Sequence, residues 1–265
     1  MNPATFLPFI ESLCLEAGEI HMRHFRRLAS YEKKGAIDLV TAADKEAEER
    51  IAARTREAYP SHRLLAEEGA GADAPRDDEW IWVVDPVDGT TNFAHGVPLF
   101  AVSIALCRGR VPMVGGVHAA ALGETYLAAR GAGATRNGAP LRASASAELG
   151  ESLLSTGFPY TFGEDAERLV RLYGKYLLAS RGVLRLGSAA IDIALVAAGN
   201  LDGFYEHSLK PWDTAAAALL VEEAGGRVTT WDGEPFDPWQ TSILCSNGPL
   251  HEPMLRVLRD DAAAG

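Results

Sequence analysis

The sequence predicts a mixed α and β protein in two halves that meet near residue 147. Phe6, Ile10, Leu13, Ala17, Ile20 and His24 recur at intervals of three and four, the stripe of an amphipathic helix. Residues 81–127 hold apolar runs too short for helices and separated by turn signals, which read as strands. Beyond Ala143-Ser144-Ala145-Ser146 the pattern alternates between helix and strand, so the halves are about 1–147 and 148–265.

The first helix is expected over about residues 5–28. After Gly35 come Ile37, Leu39 and Val40, a short apolar set. Thr41 and Asp44 follow, and either could cap a second helix that carries Ala47, Ile51 and Ala58 and stops at Pro60. Residues 64–66 form a short strand that delivers Glu67 and Glu68. Ile81-Trp82-Val83-Val84 reads as a fully buried strand ending at Asp85-Pro86. A meander over 100–107, 111–118 and 124–127 follows, with turns at Gly131, Gly133 and Asn137-Gly138. In the second half, helices at about 165–180 and 189–198 precede a strand at 203–206. A buried helix over 214–224 closes at Gly225-Gly226. Strands near 227–230 and 243–246 and a helix from about Leu250 complete the chain.

Composition narrows the function. Of 265 residues, 25 are Lys or Arg and 36 are Asp or Glu, a net charge of −11, and no basic run offers a footprint for a phosphate backbone. Direct nucleic-acid binding is therefore not expected. Cys14, Cys107 and Cys245 are widely spaced, with no paired or zinc-type motif, and read as reduced thiols. Residues 1–15 carry Glu11 and no Lys or Arg, unlike a secretory leader. The most apolar stretch, 111–122, is broken by Gly115, Gly116 and His118, short of the ~20 residues a membrane span needs. A cytoplasmic location, away from membranes, is the expectation.

The chemistry concentrates in Asp85-Pro86-Val87-Asp88-Gly89-Thr90-Thr91-Asn92-Phe93. Two carboxylates three residues apart, with a proline to set the bend and a glycine to admit close approach, can face one point in space. Glu67-Glu68 ends another strand, and Asp213 follows Trp212 at a helix start. Such an oxygen-only set suits Mg²⁺ or Mn²⁺ better than zinc or copper. Taken alone, each acid is explained as a cap or a solvated turn, Asp213 above all. Asp85 and Asp88 together are not, because a buried strand feeding two acids needs a charge partner and none is near in sequence. Gly89, Thr90 and Thr91 present backbone N–H groups for an anion, and the Thr90 hydroxyl could hold a water. His21 and His24 share a helix face and read as packing rather than ligation.

Asp85 to Phe93, together with Trp212-Asp213-Thr214-Ala215-Ala216 leading to Glu223-Ala224-Gly225-Gly226, resembles the two signature motifs of the inositol monophosphatase family. Asp38-Leu39-Val40-Thr41-Ala42-Ala43-Asp44, Glu67-Glu68, Gly157-Phe158-Pro159-Tyr160 and Gly187-Ser188-Ala189-Ala190 fall in family order, so the similarity spans nearly the whole chain. The resemblance implies an α+β fold, the layered α-β-α-β-α sandwich of the inositol monophosphatase and fructose bisphosphatase type, as one domain over 1–265 and as a homodimer. The implied activity is hydrolysis of a small phosphate monoester, inositol 1-phosphate, with two or three Mg²⁺ ions and sensitivity to Li⁺.

On that pattern Glu67, Asp85 and the Val87 carbonyl hold one Mg²⁺, and Asp85, Asp88 and Asp213 hold another. A third, weaker ion leans on Glu67 through waters. Asp44 and Thr90 orient the attacking water, with Glu67 as the third catalytic residue. The substrate meets Val87, Asp88, Gly89 and Thr90 at the phosphate and Gly187, Ser188, Ala189, Glu206 and Asp213 at the ring. Two departures stand out: Ala215 to Ala218 occupy positions where the family usually has a glycine, and Ala66 precedes Glu67 where a glycine is common. Fructose 1,6-bisphosphate, histidinol phosphate and adenosine 3′,5′-bisphosphate remain alternative substrates. A non-catalytic, metal-binding regulatory protein is a further alternative, but it predicts a damaged constellation, whereas Asp44, Glu67, Asp85, Asp88, Thr90 and Asp213 are all present.

Overall fold

The structure is a computed structural model that describes residues 2–27, 32–33, 39–69, 73–159 and 165–262. Leu28, Gly35, Ile37, Asp38 and Tyr160, which entered the sequence reading, lie outside the described residues. Helix α1 (Leu7–His24) buries Ile10, Leu13, Ala17 and Ile20, the stripe read from sequence. A two-stranded hairpin, β1 (Glu32–Lys33) and β2 (Leu39–Val40), leads to α2 (Ala42–Ala58). Thr41 is the N-cap of α2 and Asp44 its N3 partner; each side chain serves the other's backbone end, a capping box that typically contributes ~1 kcal/mol.

Seven strands then pair in the order β3 (Arg63–Ala66), β4 (Trp80–Asp88), β5 (Ala101–Arg108), β6 (Val111–Ala119), β7 (Glu124–Ala129), β8 (Gly133–Arg136) and β9 (Ala139–Pro140). The five-residue helix α3 (Thr90–Ala94) interrupts this run directly after β4. The second sheet comprises β10 (Leu153–Thr156), β11 (Gly182–Leu184), β12 (Gly203–His207), β13 (Arg227–Thr229) and β14 (Ser242–Ser246), in the spatial order β11-β10-β12-β14-β13. Helices α4 (Ala166–Ala179), α5 (Ala189–Ala197), α6 (Pro211–Glu223) and α7 (His251–Ala262) alternate with these strands in sequence.

Successive residues of a strand point to opposite faces, and that alternation builds the layers. Trp82, Val84, Val102, Ile104 and Leu106 pack on α1 and α2 through Ile10, Leu13, Ala47 and Ile51. Their neighbours Ile81, Val83, Ala105 and Cys107 face the other way, onto α5 and α6. Phe204, Ile243 and Cys245 of the second sheet close on the same two helices from the far side. Behind that sheet, Leu154, Tyr205 and Leu244 meet Leu172 and Tyr176 of α4 and Met254 and Leu258 of α7. The result is five layers, α-β-α-β-α, as the resemblance implied. Each large apolar side chain so buried contributes roughly 1.5–3 kcal/mol.

The middle layer explains the alanine run. Ala215, Ala216, Ala217 and Ala218 are at most 3% exposed, flattened between the two sheets. Gly115 of β6 faces Ala216, and a Cβ at Gly115 would stand 2.8 Å from the Ala216 carbonyl oxygen. The space that a glycine would have supplied on the helix is supplied by the strand instead.

Several boundaries differ from the sequence reading. β4 does not stop at Asp85-Pro86 but continues to Asp88, with a register shift between Asp85 and Asp88 against β5. Proline has no N–H to offer the ladder, so it fits where pairing is already broken by a bulge. α6 begins at Pro211 rather than Thr214, because a proline at the first turn loses no hydrogen bond. β8, β9, β10 and β11 were not anticipated; they are two to four residues long, too short to show a period.

Candidate active site

The fold brings five acids to one place from four segments. The β4 bulge carries Asp85 and Asp88, 2% and 8% exposed. Ser103 on β5, paired in register with Asp85, donates its hydroxyl to the Trp212 carbonyl at 3.0 Å and so pins the start of α6 beside β4. That contact places Asp213 in the group. Glu67 follows β3, which runs parallel to β4, and its N–H donates to the Val84 carbonyl at 3.2 Å. Asp44 enters from the first turn of α2, wholly buried.

Each acid has a different local anchor. Asp44 accepts the Thr41 N–H at 2.9 Å and the Thr41 hydroxyl on the same oxygen, leaving Oδ1 turned toward Thr90. The Thr90 hydroxyl lies 2.9 Å from the Val87 carbonyl and 3.4 Å from Asp44 Oδ1, and its single proton serves one of them at a time. Asp85 Oδ1 accepts the Val87 N–H at 3.0 Å. Asp88 accepts the Ser188 hydroxyl and the Ala190 N–H, the latter at 2.7 Å, so it sits at the N-terminus of α5, where the helix dipole favours an anion. Asp213, at N3 of α6, accepts the Lys210 N–H at 2.7 Å; the capping role foreseen for it is present, with one oxygen left over.

Burial and mutual repulsion raise these carboxyls. Asp44 and Asp88 are pushed up to about 6, chiefly by burial; hydrogen bonds from Thr41, and from Ser188 and Ala190, restrain them. Asp85 is raised well above the usual carboxylate range, by burial first and then by Glu67, Asp88, Asp213 and Asp44. Asp213 is raised by burial, with Asp88 and Glu67 adding to it. Glu206, on β12, is raised by burial, then by Asp192, Asp213 and Asp88. A set of buried oxygens that raise one another's proton affinity is suited to a hard divalent cation. Among the described residues no three of the acids close into a ready-made cage, as expected of carboxylates that face one another as like charges.

Gly89 and Gly187 shape the rim. Gly89 has φ of 87°, the left-handed conformation that lets the chain turn from β4 into α3. Gly187 has φ of 84°, and a Cβ there would lie 3.0 Å from the Asn92 amide nitrogen, which donates to the Leu99 and Leu186 carbonyls at 2.7 Å each. Ser188 supports Asp88 through its hydroxyl. Ala189 follows as the first residue of α5, its side chain in the core between the sheets. Val87 is fully buried against Ala43, Phe93 and Phe100, which form an apolar floor.

Sequence reasoning passed over three residues. Asp192 is 1% exposed in the first turn of α5, facing the same space as Glu206 and Asp88. It was hidden in an otherwise apolar helix. His21 is buried as foreseen, yet its Nε2–H donates to the Pro86 carbonyl at 2.7 Å and braces the β4 bulge from another layer. Thr41 was read only as a cap, and it also fixes Asp44. No local signal announces the contact of His21 with Pro86, 65 residues away.

Comparison with known proteins agrees with the geometry. Residues 2–262 match the inositol monophosphatase family. A Nus factor SuhB of Pseudomonas aeruginosa is 42% identical over 92% of each chain. A fructose-1,6-bisphosphatase/inositol-1-monophosphatase of Thermotoga maritima is 37% identical over 96% of each. The solved structure of an inositol monophosphatase from Anabaena superposes with a TM-score of 0.87 at 38% identity, covering 98% of this chain and 96% of that one. The five-layer fold, the spacing of the acids and these likenesses agree: the chain belongs to the inositol monophosphatase family and is a phosphatase of that family.

Proposed function

We propose that the protein is a Mg²⁺-dependent phosphomonoesterase that hydrolyses inositol 1-phosphate to inositol and phosphate. The observation that carries this reading is the convergence of Asp85, Asp88 and Asp213 at the β4 bulge, with the Thr90–Asp44 pair beside them. Glu67, Asp85, the Val87 carbonyl, Asp88 and Asp213 would hold the metal ions. Bound there, Mg²⁺ supplies a water of lowered pKa and a Lewis acid for the leaving oxygen.

The chain's own residues do the rest. The Thr90 hydroxyl donates to Asp44, and its lone pair accepts a proton of the attacking water, which aims the water oxygen away from the protein. Thr41 keeps Asp44 facing Thr90 by occupying its other oxygen. The backbone around Gly89 and Thr90 lies along the phosphate, and Gly187, Ser188 and Ala189 border the ring. Glu206 accepts hydrogen bonds from ring hydroxyls, and Asp213 serves metal and ring together. The apolar floor of Val87, Phe93 and Phe100 holds the bulge still.

A phosphate-release panel with inositol 1-phosphate, fructose 1,6-bisphosphate, histidinol phosphate and adenosine 3′,5′-bisphosphate, run with Mg²⁺ and with excess chelator, tests the proposal. The expected result is a preference for inositol 1-phosphate that vanishes in chelator. Full activity in chelator would sink the metal mechanism, and preference for another substrate would replace inositol while keeping the chemistry.

A further inference from the structure

The reading of Glu206 as the hydroxyl-binding residue raises the question of what keeps that carboxylate in place, and the inference below rests on that reading. Glu206 is paired in register with Ile243, whose side chain joins the core between the two sheets. Paired residues share a face, so Glu206 also points toward α5 and α6. It is only 8% exposed there. Asp192 of α5, Asp213 of α6 and Asp88 of β4 all repel it, and Arg185 offsets them in part. Asp192 Oδ1 is buried with no hydrogen-bond partner among the described residues.

Opposite these acids is Gly157. β10 and β12 run parallel with Thr156 beside Tyr205, and one further residue brings Gly157 beside Glu206. A Cβ built on Gly157 would fall on the Glu206 carboxyl, meeting its carbon and both oxygens. The backbone of Gly157 is not in the left-handed region, so the position does not need glycine for its conformation. It needs glycine for room. Repelled from the helices, the Glu206 carboxyl lies across the chain at Gly157, in the volume that any other residue's side chain would fill.

We propose that Gly157 is a specificity-determining positioning residue: its missing side chain is the seat of the Glu206 carboxylate and sets the direction in which that carboxylate meets a polyol hydroxyl. A methyl at this position would turn Glu206 toward Asp192, into the space assigned to the ring. The bulge that carries Asp85 and Asp88 would stay in place, because Gly157 follows β10 of the second sheet and β4 belongs to the first.

The test is a double-mutant cycle with two substrates, inositol 1-phosphate and 4-nitrophenyl phosphate, which has no hydroxyl for Glu206 to hold. In Gly157→Ala, kcat/KM for inositol 1-phosphate should fall about tenfold or more, while that for 4-nitrophenyl phosphate stays within about twofold. Glu206→Ala should show the same selective loss, and Gly157→Ala added to Glu206→Ala should cost nothing further on either substrate. Thermal midpoints form a second cycle: Gly157→Ala lowers Tm in the wild-type background and leaves it unchanged once Glu206 is truncated. Equal losses on both substrates, or additive losses in the double variant, would overturn the proposal. If Gly157→Ala fails to fold while the double variant folds, the steric link stands; if neither folds, it falls. Should Glu206→Ala treat the two substrates alike, the hydroxyl-binding role of Glu206 is wrong, and the thermal cycle alone decides whether Gly157 seats its carboxylate.

Discussion

The two ends of the candidate site handle negative charge differently. At the β4 bulge Asp85 is raised well above the usual carboxylate range, but Asp88 and the adjacent Asp44 of α2 each accept hydrogen bonds from a neighbouring hydroxyl and a backbone N–H, and both are held at about 6. Toward the second sheet, burial first and then neighbouring acids drive Glu206 of β12 and Asp192 of α5 well above the usual range. A carboxylate that must take and return a proton near neutrality needs donors that restrain its pKa. One that grips hydroxyls has no proton to return and can be left crowded.

The proposed roles predict that variants at the first end destroy turnover while variants at the second redirect it. Asp85→Asn nearly keeps the shape and should lower kcat/KM about 10³-fold or more on every substrate, since stabilisation of transition-state charge by a metal is worth several kcal/mol. The Mg²⁺-dependent rise in Tm should vanish with it; a variant that kept turnover without that rise would place a structural ion, not the catalytic one, at Asp85. Thr90→Ala should lower kcat by roughly 10²-fold and KM little, because orienting a water matters mainly in the transition state. Single-turnover rates check this, and an unchanged kcat removes Thr90 from the mechanism.

Glu206→Gln should cost about 10-fold to 100-fold on inositol 1-phosphate and far less on an aryl phosphate, the difference being one charge-assisted hydrogen bond. Equal losses would erase the contrast between the two ends. Metal binding also acts on stability. Mg²⁺ at a hundredfold excess over its Kd should contribute about 2.7 kcal/mol, or a Tm rise of about 5 to 10 °C for a chain of this size.

Without metal, Asp44 and Asp88 bind protons more tightly when folded, about 6 against an ordinary 3.8. Their stabilisation is therefore complete below about pH 4 and lost as the pH rises through 6. Melting in chelator should show Tm falling across that window, and Mg²⁺ at neutral pH should restore it. A chelated protein whose Tm climbed with pH over the same range would contradict the crowding described at the bulge.

Much of this was legible in the sequence, for identifiable reasons. α1 and the Ile81 to Val84 run announce themselves by period and by length, and both are where the pattern put them. The acids were found because Asp85 and Asp88 follow a buried strand with no cation nearby in sequence. β10, reading Leu-Leu-Ser-Thr, and β11, reading Gly-Val-Leu, are too short for alternation to show. Their pairing is decided by the sheet around them. The continuation of β4 past Pro86 was illegible for a related reason: a proline usually ends a ladder, and only the neighbouring β5 shows that a bulge absorbs it. Asp88 meets Ser188 and Ala190 across about a hundred residues, and Asp192 looks like an interruption in an apolar helix until Glu206 is placed opposite.

Gly115 and Ala216 touch where β6 supports α6, with no room for a side-chain carbon between the strand and the helix backbone. For a lineage that carries this chain, Gly115 is inherited together with the position of α6, because a carbon gained there can be admitted only if the helix backbone moves away. A mutation at Gly115 also travels. It would lift the helix whose first turn bears Asp213, so a change in a strand with no chemistry of its own would be inherited as a defect of the catalytic centre.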